Sequence, residues 1–487
     1  MQCEKCSQID WGTLRCPTFR ELRELGTDAR IHFDADVAKH PHIRLGSLRR
    51  IKESGSRCPV CHLLWTIMVR NNGDQEPDLT DPSAGDRDIE CFARMQWFGQ
   101  FTTPGETPLQ DTDIRDDRIG RAVRKHLVRR LSLRIGVPAA YTEDEEDCQW
   151  SYILFFIQAC PVNTSSVPPM TAFGAPLDMP AFVFGGRRRP RRFEIDWLRQ
   201  WLDLCASTHT AECGAWPAFQ NSGSHCPQQN VNPRDPNDSS LPVIRLINVS
   251  SKCFEAFGSV LNSETAAIPP YVALSYVWGK DQVVKLCKSN MESLARPGAL
   301  EDQKPSKSIT DAMDLLLGLR TGITYLWVDA ICIVQDSDED KALHIGRMGR
   351  IYAAADFTIV VASGEDADAG LPGLREGTRS IDQSAVEVIA PGARTYSDKG
   401  LKFHQYGLSI MDTLTPLWDE DDDFWTTEKY ATRGWTMQER VLSRRKLIFT
   451  KEQVYWQCAT ASYCEESVME PDITTLKPLY SGGAITV

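Results

Sequence analysis

Residues 325–336 read Tyr-Leu-Trp-Val-Asp-Ala-Ile-Cys-Ile-Val-Gln-Asp, and the part from 325 to 334 is almost uninterrupted apolar sequence. Such a run is typical of a strand covered on both faces, as in a parallel sheet. We therefore predict a buried strand over 325–334. Asp329 lies inside this run, and a buried aspartate has to be paired or hydrogen-bonded. It either anchors a loop backbone or faces a site at the carboxyl end of the strand, where open α/β sheets bind ligands.

The segments around this run alternate between strand and helix patterns. Further strands are predicted at 243–249, 271–278 and 357–362, and helices at 308–319 and after Asp336. Ser308-Ile-Thr-Asp311 has the form of a capping box that opens the first helix, and Gly322 is suited to end it. Strand, helix, strand, helix, strand is the order of a parallel α/β sheet.

The predicted fold class is therefore α/β with a mainly parallel sheet, preceded by a cysteine-rich α+β region. The strands near 271–278, 325–334 and 357–362 are expected to be adjacent and parallel. Two later segments, 446–450 and 454–458, are predicted to form a β pair that packs on this sheet or extends it.

Composition divides the chain into five segments. We predict a cysteine-rich amino-terminal segment (1–72), a variable α+β region (73–193), a helix and linker (194–240), a main domain (241–458) and a carboxyl-terminal tail (459–487). Before the main domain, we expect helical structure over 45–69, strands over 89–98 and 152–159, a basic helical patch over 121–134 and an amphipathic helix over 193–205. The polar loop around Pro233 and Pro236 is the clearest linker.

Two Cys-x-x-Cys pairs stand in the first segment. They are Cys3 with Cys6 and Cys58 with Cys61. This spacing lets two thiolates reach one tetrahedral zinc ion, and two pairs together make a complete site. A structural zinc is one interpretation, in which His62 or Cys16 can replace a cysteine. Free thiols packed in a reducing compartment are the other.

A second group of metal-binding residue types follows the amphipathic helix. Cys205, His209 and Cys213 share one helical face if the helix continues, but they span two turns, or about 12 Å. One metal ion therefore reaches two of them but not easily all three, and His225 and Cys226 are candidates to complete a site. The alternative is small buried cysteines beside a half-exposed histidine.

The composition is that of a globular protein, with 42% hydrophobic and 25% charged residues among 487. The net charge of −12 argues against general attraction to nucleic acid or to a membrane surface. No segment approaches the ~20 apolar residues of a membrane span, and the amino terminus lacks the apolar core of a secretory signal. Sixteen cysteines without such a leader favour reduced thiols or metal ligands, so a cytoplasmic protein is expected. The basic run 187–192 is interpreted as a solvated loop, with a nuclear signal or a phosphate-binding patch as alternatives.

Three motifs, in this order, closely resemble the heterokaryon incompatibility (HET) domain. They are Tyr-Val-Ala-Leu-Ser-Tyr-Val-Trp-Gly at 271–279, the run at 325–336, and Arg-Gly-Trp-Thr-Met-Gln-Glu at 433–439. The resemblance is best over 271–440. HET domains are modules of filamentous fungi that trigger death after fusion of unlike cells, so the resemblance implies non-self recognition signalling that ends in programmed cell death. The implied partners are further copies of the chain, in a homo-oligomer, or other death-pathway proteins, and not nucleic acid.

HET domains are in turn thought to be distantly related to TIR domains, some of which cleave NAD. This relationship implies a TIR-like or flavodoxin-like sheet and an alternative activity, that of an NAD glycohydrolase. TIR domains that cleave NAD carry a glutamate four residues after a tryptophan or similar residue, and here these are Glu439 and Trp435. The resemblance implies that Glu439 is the catalytic carboxylate and that Ser275, Tyr276, Asp329 and Trp435 line the substrate site.

A structural role is the alternative for Glu439. Residues spaced i and i+4, such as Trp435 and Glu439, share a face of a helix. The carboxylate would then pair with Arg440, Arg444 or Arg445 and stabilise that helix. The two roles predict different surroundings, a cleft beside the carboxyl ends of the strands for the enzyme and a salt-bridged outer face for the structural role.

Overall fold

Two large β-sheets, one in each of two units, organise the part of the chain that the computed structural model describes. Unit 1 comprises Met1–Arg189, Asp382–Thr415 and Glu465–Leu479, and unit 2 comprises Pro190–Ile381, Pro416–Cys464 and Tyr480–Val487. The structure describes residues 2–14, 43–82, 85–98, 128–137, 149–162, 186–208, 213, 244–257, 268–279, 284–397, 400–404, 407–414, 429–430, 432, 439, 441–458 and 462–466.

Unit 1 is built on a six-stranded sheet with the order β1-β4-β5-β6-β15-β12. The described strands of unit 1, inside and outside this sheet, are β1 (Ile43–Ser47), β2 (Thr80–Asp81), β3 (Arg87–Asp88), β4 (Glu90–Phe98), β5 (Val128–Val137), β6 (Gln149–Cys160), β12 (Ala385–Ile389), β13 (Ala393–Ser397), β14 (Gly400–His404) and β15 (Leu408–Asp412). All five pairings within the large sheet are antiparallel. Strands β2 and β3 form a separate two-stranded sheet, and so do β13 and β14.

The helices of unit 1 bury their apolar faces in one core cluster with the sheet. They are Glu4–Ser7, Leu48–Ser54 and Pro59–Asn71, with a 3₁₀ turn at Trp11–Thr13. Leu64, Ile67 and Met68 of the longest helix are buried, as their helical spacing predicts. This core also contains strand residues on an alternating pattern, such as Leu131 and Leu133.

The basic helical patch predicted over 121–134 is wrong for residues 128–134, which belong to strand β5. Residues 121–127 lie outside the described residues. Leu131, Leu133 and Ile135, at every second position, belong to the apolar core of unit 1, which matches the side-chain period of a strand. The arginines of this strand obscure the alternation, because Arg130 is itself buried and donates to Gln158 of the neighbouring strand.

Unit 2 is built on an eight-stranded sheet with the order β18-β17-β16-β11-β9-β10-β7-β8. Its strands are β7 (Ile244–Asn248), β8 (Cys253–Phe257), β9 (Tyr271–Ser275), β10 (Tyr325–Trp327), β11 (Thr358–Val361), β16 (Arg445–Phe449), β17 (Val454–Cys458) and β18 (Ser462–Cys464). Its helices are Ile195–Thr208, Met291–Leu294, Ala299–Gln303, Lys307–Leu319, Asp329–Cys332, Asp338–Ile345 and Met348–Ala354, with a 3₁₀ turn at Ala367–Ala369.

The mixed α/β class is confirmed, and the centre of the unit 2 sheet has the predicted arrangement. Strands β10, β9 and β11 are adjacent and parallel, and β16 continues the parallel set beside β11. The predicted β pair, β16 with β17, extends this sheet. A mainly parallel sheet is not confirmed, however, because four of its seven pairings are antiparallel. The antiparallel strands lie at both edges, where hairpins such as β7–β8 close the sheet.

The strand predicted over 325–334 is only three residues long. Strand β10 ends at Trp327, and a helical turn follows at Asp329–Cys332. All residues from 330 to 334 are nevertheless buried. Because a buried helical turn and a buried strand both require apolar residues at every position, hydrophobicity alone does not distinguish them.

The capping box predicted at Ser308 is also wrong. The helix runs over Lys307–Leu319, and its N-cap is Ser306. Asp311 is buried instead, and its carboxylate accepts from the Leu371 backbone N–H at 2.9 Å and from the Arg375 guanidinium at 3.1 Å. This residue therefore fixes a loop against the helix.

Residues 382–415 interrupt the sequence of unit 2 but belong to unit 1, where β15 pairs with β6 and β12 pairs with β15. They lie within the predicted 241–458 segment. Among the described residues, no helix is long and apolar enough to cross a membrane.

Candidate functional site

Two parallel strands of unit 2 end side by side at one edge of the sheet. Ser275 is the last residue of β9, and Tyr276 follows it. Asp329 comes two residues after the end of β10, whose Trp327 is in register with Ala273 of β9. Carboxyl ends of adjacent parallel strands are where open α/β sheets place ligand-binding groups. The structure therefore brings three of the predicted site residues to the same edge.

Glu439 joins this edge from a distant part of the sequence. The Ser275 hydroxyl donates to the Glu439 carboxylate, and it also lies 2.6 Å from the Tyr430 hydroxyl. All three side chains are buried, and Glu439 is only 3% exposed. The carboxylate is therefore buried beside the Ser275 hydroxyl at the carboxyl end of β9.

The position of Glu439 follows from the segment that leads into β16. Glu439 is helical, as are residues 441 and 442. Ser443 donates to the Glu439 carbonyl, and its hydroxyl is 2.7 Å from that of Thr358, the first residue of β11. Because Ser443 contacts the amino end of a parallel strand and Glu439 contacts the carboxyl end of the next one, this segment runs back across a face of the sheet.

Arg444 and Arg445 make their described contacts elsewhere. Arg444 donates to the Ala353 carbonyl at 3.2 Å, and Arg445 donates to the Cys205 sulfur at 3.3 Å. Trp435 and Arg440, which the sequence also singles out, lie outside the described residues.

Tyr352 is a further buried residue whose pKa is affected by Glu439 and Asp329. Burial raises the pKa of Tyr352 well above its usual value, and negative charge on Glu439 and Asp329 adds to that rise. Its hydroxyl donates to the Leu274 carbonyl at 3.2 Å, beside Ser275. The sequence did not identify Tyr352 or Tyr430, because nothing in their local pattern separates them from ordinary core tyrosines.

The Asp329 side chain makes hydrogen bonds at the start of the helical turn Asp329–Cys332. Its carboxylate accepts from the Trp278 indole N–H at 2.9 Å and 3.0 Å, and from the Ala330 backbone N–H at 2.7 Å. The Gln335 amide donates to the carbonyls of Asp329 and Ile333 at 2.9 Å and 3.0 Å. These contacts explain why a strand gives way to a helical turn here, and they place Asp329 in the anchoring role.

The four cysteines of the two Cys-x-x-Cys pairs converge in unit 1. They are Cys3, Cys6, Cys58 and Cys61, whose sulfurs all lie within 4.8 Å of one another. The Cys61 sulfur is 3.6 Å from those of Cys3 and Cys6. Sulfurs at the corners of a tetrahedron around zinc are about 3.8 Å apart when each Zn–S bond is ~2.3 Å. This cluster, which we term the four-cysteine cluster, can therefore hold a metal ion.

Local structure explains why the two pairs point inward. Cys3 and Cys58 are the N-caps of the helices Glu4–Ser7 and Pro59–Asn71, so the second cysteine of each pair lies in the first helical turn, close to the first. The Cys3 backbone N–H donates to the Cys58 sulfur at 3.3 Å.

The environment of the cluster lowers the pKa of Cys3 and Cys61 and raises that of Cys6 and Cys58. Arg50 donates to the Cys3 sulfur at 3.5 Å. A hydrogen bond with the Cys6 thiol lowers the pKa of Cys61 to about 6, and the charge of Arg50 contributes to this. The same contact raises the pKa of Cys6 far above its usual value. His62 is exposed and outside the cluster, and Cys16 lies outside the described residues.

A second group of cysteines converges in unit 2. Cys205, Cys213 and Cys458 are buried, and their sulfurs all lie within 4.8 Å of one another. We term it the three-cysteine cluster. The sequence singled out Cys205 and Cys213 but not Cys458, whose only signal was its place in the predicted strand 454–458. His209, His225 and Cys226 lie outside the described residues.

Comparison with known proteins finds a family match for one segment of this chain. Residues 271–439 match the family model described as Heterokaryon incompatibility protein (HET). This segment spans the parallel centre of the unit 2 sheet and ends at Glu439. The chain therefore contains a segment that matches the HET domain.

A characterised relative is Heterokaryon incompatibility protein 6, OR allele, from Neurospora crassa. It is 23% identical over 286 residues, which cover 49% of this chain and 39% of the relative. The chain thus matches well under half the length of that protein. No solved structure matches the chain significantly.

Proposed function

We propose that this protein acts in heterokaryon incompatibility in a filamentous fungus, as a non-self recognition signal that leads to programmed cell death. The match of residues 271–439 to the HET family carries this proposal, and the name of the Neurospora relative supports it. The protein acts in the cytoplasm, where the contents of fused cells first meet. Signalling proceeds through self-association of the HET domain, which recruits other death-pathway proteins.

Expression of the full chain in one of two fusing fungal strains tests this function. We expect a many-fold rise in the fraction of dead fusion cells relative to an empty-vector strain. A matched variant, Val272→Asp, places a charge in the fully buried strand β9 and should abolish killing by unfolding unit 2. Fusion cells that survive as well as the empty-vector control, despite normal protein levels, would refute the proposal.

Self-association of the chain is tested in a separate experiment. Light scattering on the purified full chain should show a mass that rises with concentration. A strictly monomeric protein that still kills fusion cells would separate the incompatibility function from the assembly mechanism and exclude the latter.

A second candidate function is hydrolysis of NAD, and the contact between Ser275 and Glu439 favours it. A buried carboxylate with hydroxyl neighbours, at the carboxyl end of a parallel strand, is suited to stabilise a developing positive charge. In the reaction, the bond between ribose and nicotinamide breaks and its electron pair leaves with nicotinamide. Water adds to the oxocarbenium-like ribose and releases a proton, which gives ADP-ribose.

The residues have distinct roles in this proposal. Glu439 faces the positive charge on the ribose or holds its hydroxyl groups. Ser275 positions the carboxylate, Tyr276 and Trp435 line the substrate site, and Asp329 keeps the edge of the sheet in place through Trp278. Stabilisation of charge that exists only in the transition state is what raises the rate.

Nicotinamide release from NAD by concentrated protein tests the enzymatic candidate. Wild type should release it, and Glu439→Gln should lose at least 100-fold, on the order of the effect of removing one key electrostatic group. Glu452→Gln, which changes another buried glutamate of unit 2, is the matched control and should retain turnover. Equal release by wild type and Glu439→Gln would exclude Glu439. No release by a wild-type protein that kills cells would exclude the enzyme and retain the signalling function.

We further propose that the four-cysteine cluster holds a structural zinc ion. Four thiolates in tetrahedral reach are the donor set that zinc prefers for structural sites. Elemental analysis should give a zinc equivalent that Cys58→Ser removes and that Cys160→Ser, a buried cysteine outside the cluster, retains. Zinc content that Cys58→Ser leaves unchanged would contradict the site.

A further inference from the structure

The three-cysteine cluster of unit 2 is assembled from three separate parts of the chain. Cys205 lies in the helix Ile195–Thr208, Cys213 follows that helix, and Cys458 ends strand β17. Cys205 and Cys458 are 253 positions apart in sequence, yet the three sulfurs lie within 4.8 Å of one another. All three residues are at most 7% exposed. Three buried thiols at this separation offer a soft, preformed donor set rather than single cysteines scattered through a core.

The positively charged side chain of Arg445 lies beside these three cysteines. Arg445, the first residue of β16, is in register with Cys458 across the antiparallel pair β16–β17. Residues directly opposite in such a pair place their side chains on the same face. The Arg445 guanidinium donates to the Cys205 sulfur at 3.3 Å and to the Asp356 carbonyl at 3.5 Å.

This arrangement repeats the one in unit 1. Arg50 donates to a sulfur of the four-cysteine cluster at 3.5 Å, and Arg445 does so at the three-cysteine cluster at 3.3 Å. A half-buried guanidinium next to neutral thiols loses hydration and gains only a weak sulfur acceptor. Next to metal-bound thiolates it gains a charge-assisted hydrogen bond and balances negative charge.

We propose that Cys205, Cys213 and Cys458 bind a zinc ion, with Arg445 donating to the Cys205 thiolate. The three sulfurs occupy three of the four tetrahedral positions, and water or a further donor takes the fourth. The ion joins the helix Ile195–Thr208 to the hairpin β16–β17, two segments that are far apart in sequence. This site is independent of the one in unit 1.

Zinc content of the purified full chain tests the proposal. Wild type should contain one zinc equivalent more than Cys458→Ser. Cys332→Ser, which changes a fully buried cysteine of unit 2 outside the cluster, should keep the wild-type content. Cys58→Ser reports separately on the four-cysteine cluster, so a loss at one site is distinguishable from a loss at the other. Equal zinc in wild type and a folded Cys458→Ser would overturn the second site.

Mapping of thiol alkylation on the wild-type protein covers the case in which the serine variants do not fold. Treatment with a zinc chelator should make Cys205, Cys213 and Cys458 reactive together, while Cys332 stays protected. Unchanged labelling of these three with chelator would overturn the proposal. A disulfide between two of them in freshly purified protein would overturn it as well.

Discussion

Unit 1 and unit 2 differ in what holds them together. In the described part of unit 1, three helices of at most thirteen residues pack on an antiparallel sheet, and two of them begin at cysteines of one cluster. In unit 2, a larger apolar core surrounds a central parallel set of strands. From this comparison we expect the folding of unit 1 to depend on its four-cysteine cluster, and that of unit 2 to depend chiefly on hydrophobic burial.

The largest expected effect comes from removing the zinc ion that we propose for unit 1. Structural zinc contributes on the order of 10 kcal/mol to folding in small metal-dependent domains. A strong chelator, or Cys61→Ser, should therefore make unit 1 sensitive to limited proteolysis while fragments of unit 2 survive. Cys160→Ser is the control, since this cysteine is equally buried in unit 1 but outside the cluster. If unit 1 resists protease as well with chelator as without it, the proposed dependence on metal is wrong.

The next largest effect is expected from removing buried apolar side-chain atoms in unit 2. Two neighbouring leucines allow a direct comparison. Leu316 and Leu317 lie in the same helix, Lys307–Leu319, and are 2% and 43% exposed. Leu316→Ala should lower the free energy of unfolding by about 2–5 kcal/mol, since it leaves a cavity. Leu317→Ala should change it by less than about 0.5 kcal/mol, as at most surface positions. Urea denaturation followed by tryptophan fluorescence measures both, and equal losses would contradict the described burial.

The central strands of unit 2 could be predicted because the information is local. Apolar segments that alternate with amphipathic ones specify β9, β10 and β11 and their parallel order. The strand pairings of the unit 1 sheet could not be predicted in this way, although strands over 89–98 and 152–159 were expected there. Strand β15 pairs with β6 across about 250 residues of sequence, and no local pattern reveals such a partner. The turn at Asp329–Cys332 was missed because burial there looks the same as in a strand.

The candidate sites likewise contain some features that could be predicted from local sequence and others that could not. The four-cysteine cluster was predictable, because each Cys-x-x-Cys pair carries its own geometry. The pairing of Ser275 with Glu439 joins residues 164 positions apart, and only the resemblance to the HET family singled out both. Cys458, Tyr352 and Tyr430 carry no such motif, so their places became visible only through the tertiary structure.

A smaller effect concerns a buried polar contact of unit 2, that between Ser275 and Glu439. Ser275→Ala removes a hydroxyl that donates to Glu439 and lies beside Tyr430, all of them buried. The loss in free energy of unfolding should be about 1–3 kcal/mol, since a buried carboxylate loses a hydrogen-bond donor. Ser207→Ala removes a hydroxyl of an exposed serine that bonds only locally and should cost less than about 0.5 kcal/mol. A Ser275→Ala protein as stable as wild type would contradict the contact.

The smallest effect compares helix caps in the two units. The Ser47 hydroxyl accepts from the Arg50 backbone N–H at 3.3 Å, which caps the helix Leu48–Ser54 of unit 1. Ser306 occupies the same position before the helix Lys307–Leu319 of unit 2, but its hydroxyl makes no cap bond and is buried without a partner within the described residues. Ser47→Ala should therefore cost about 1 kcal/mol. Ser306→Ala removes only an unsatisfied polar atom, so stability should stay unchanged or rise slightly. The two serines look alike in sequence, since each precedes an amphipathic helix. Denaturant midpoints read for each unit separately, by hydrogen exchange of its own amides, distinguish them. A loss at Ser306 equal to that at Ser47 would mean that both act as caps in solution.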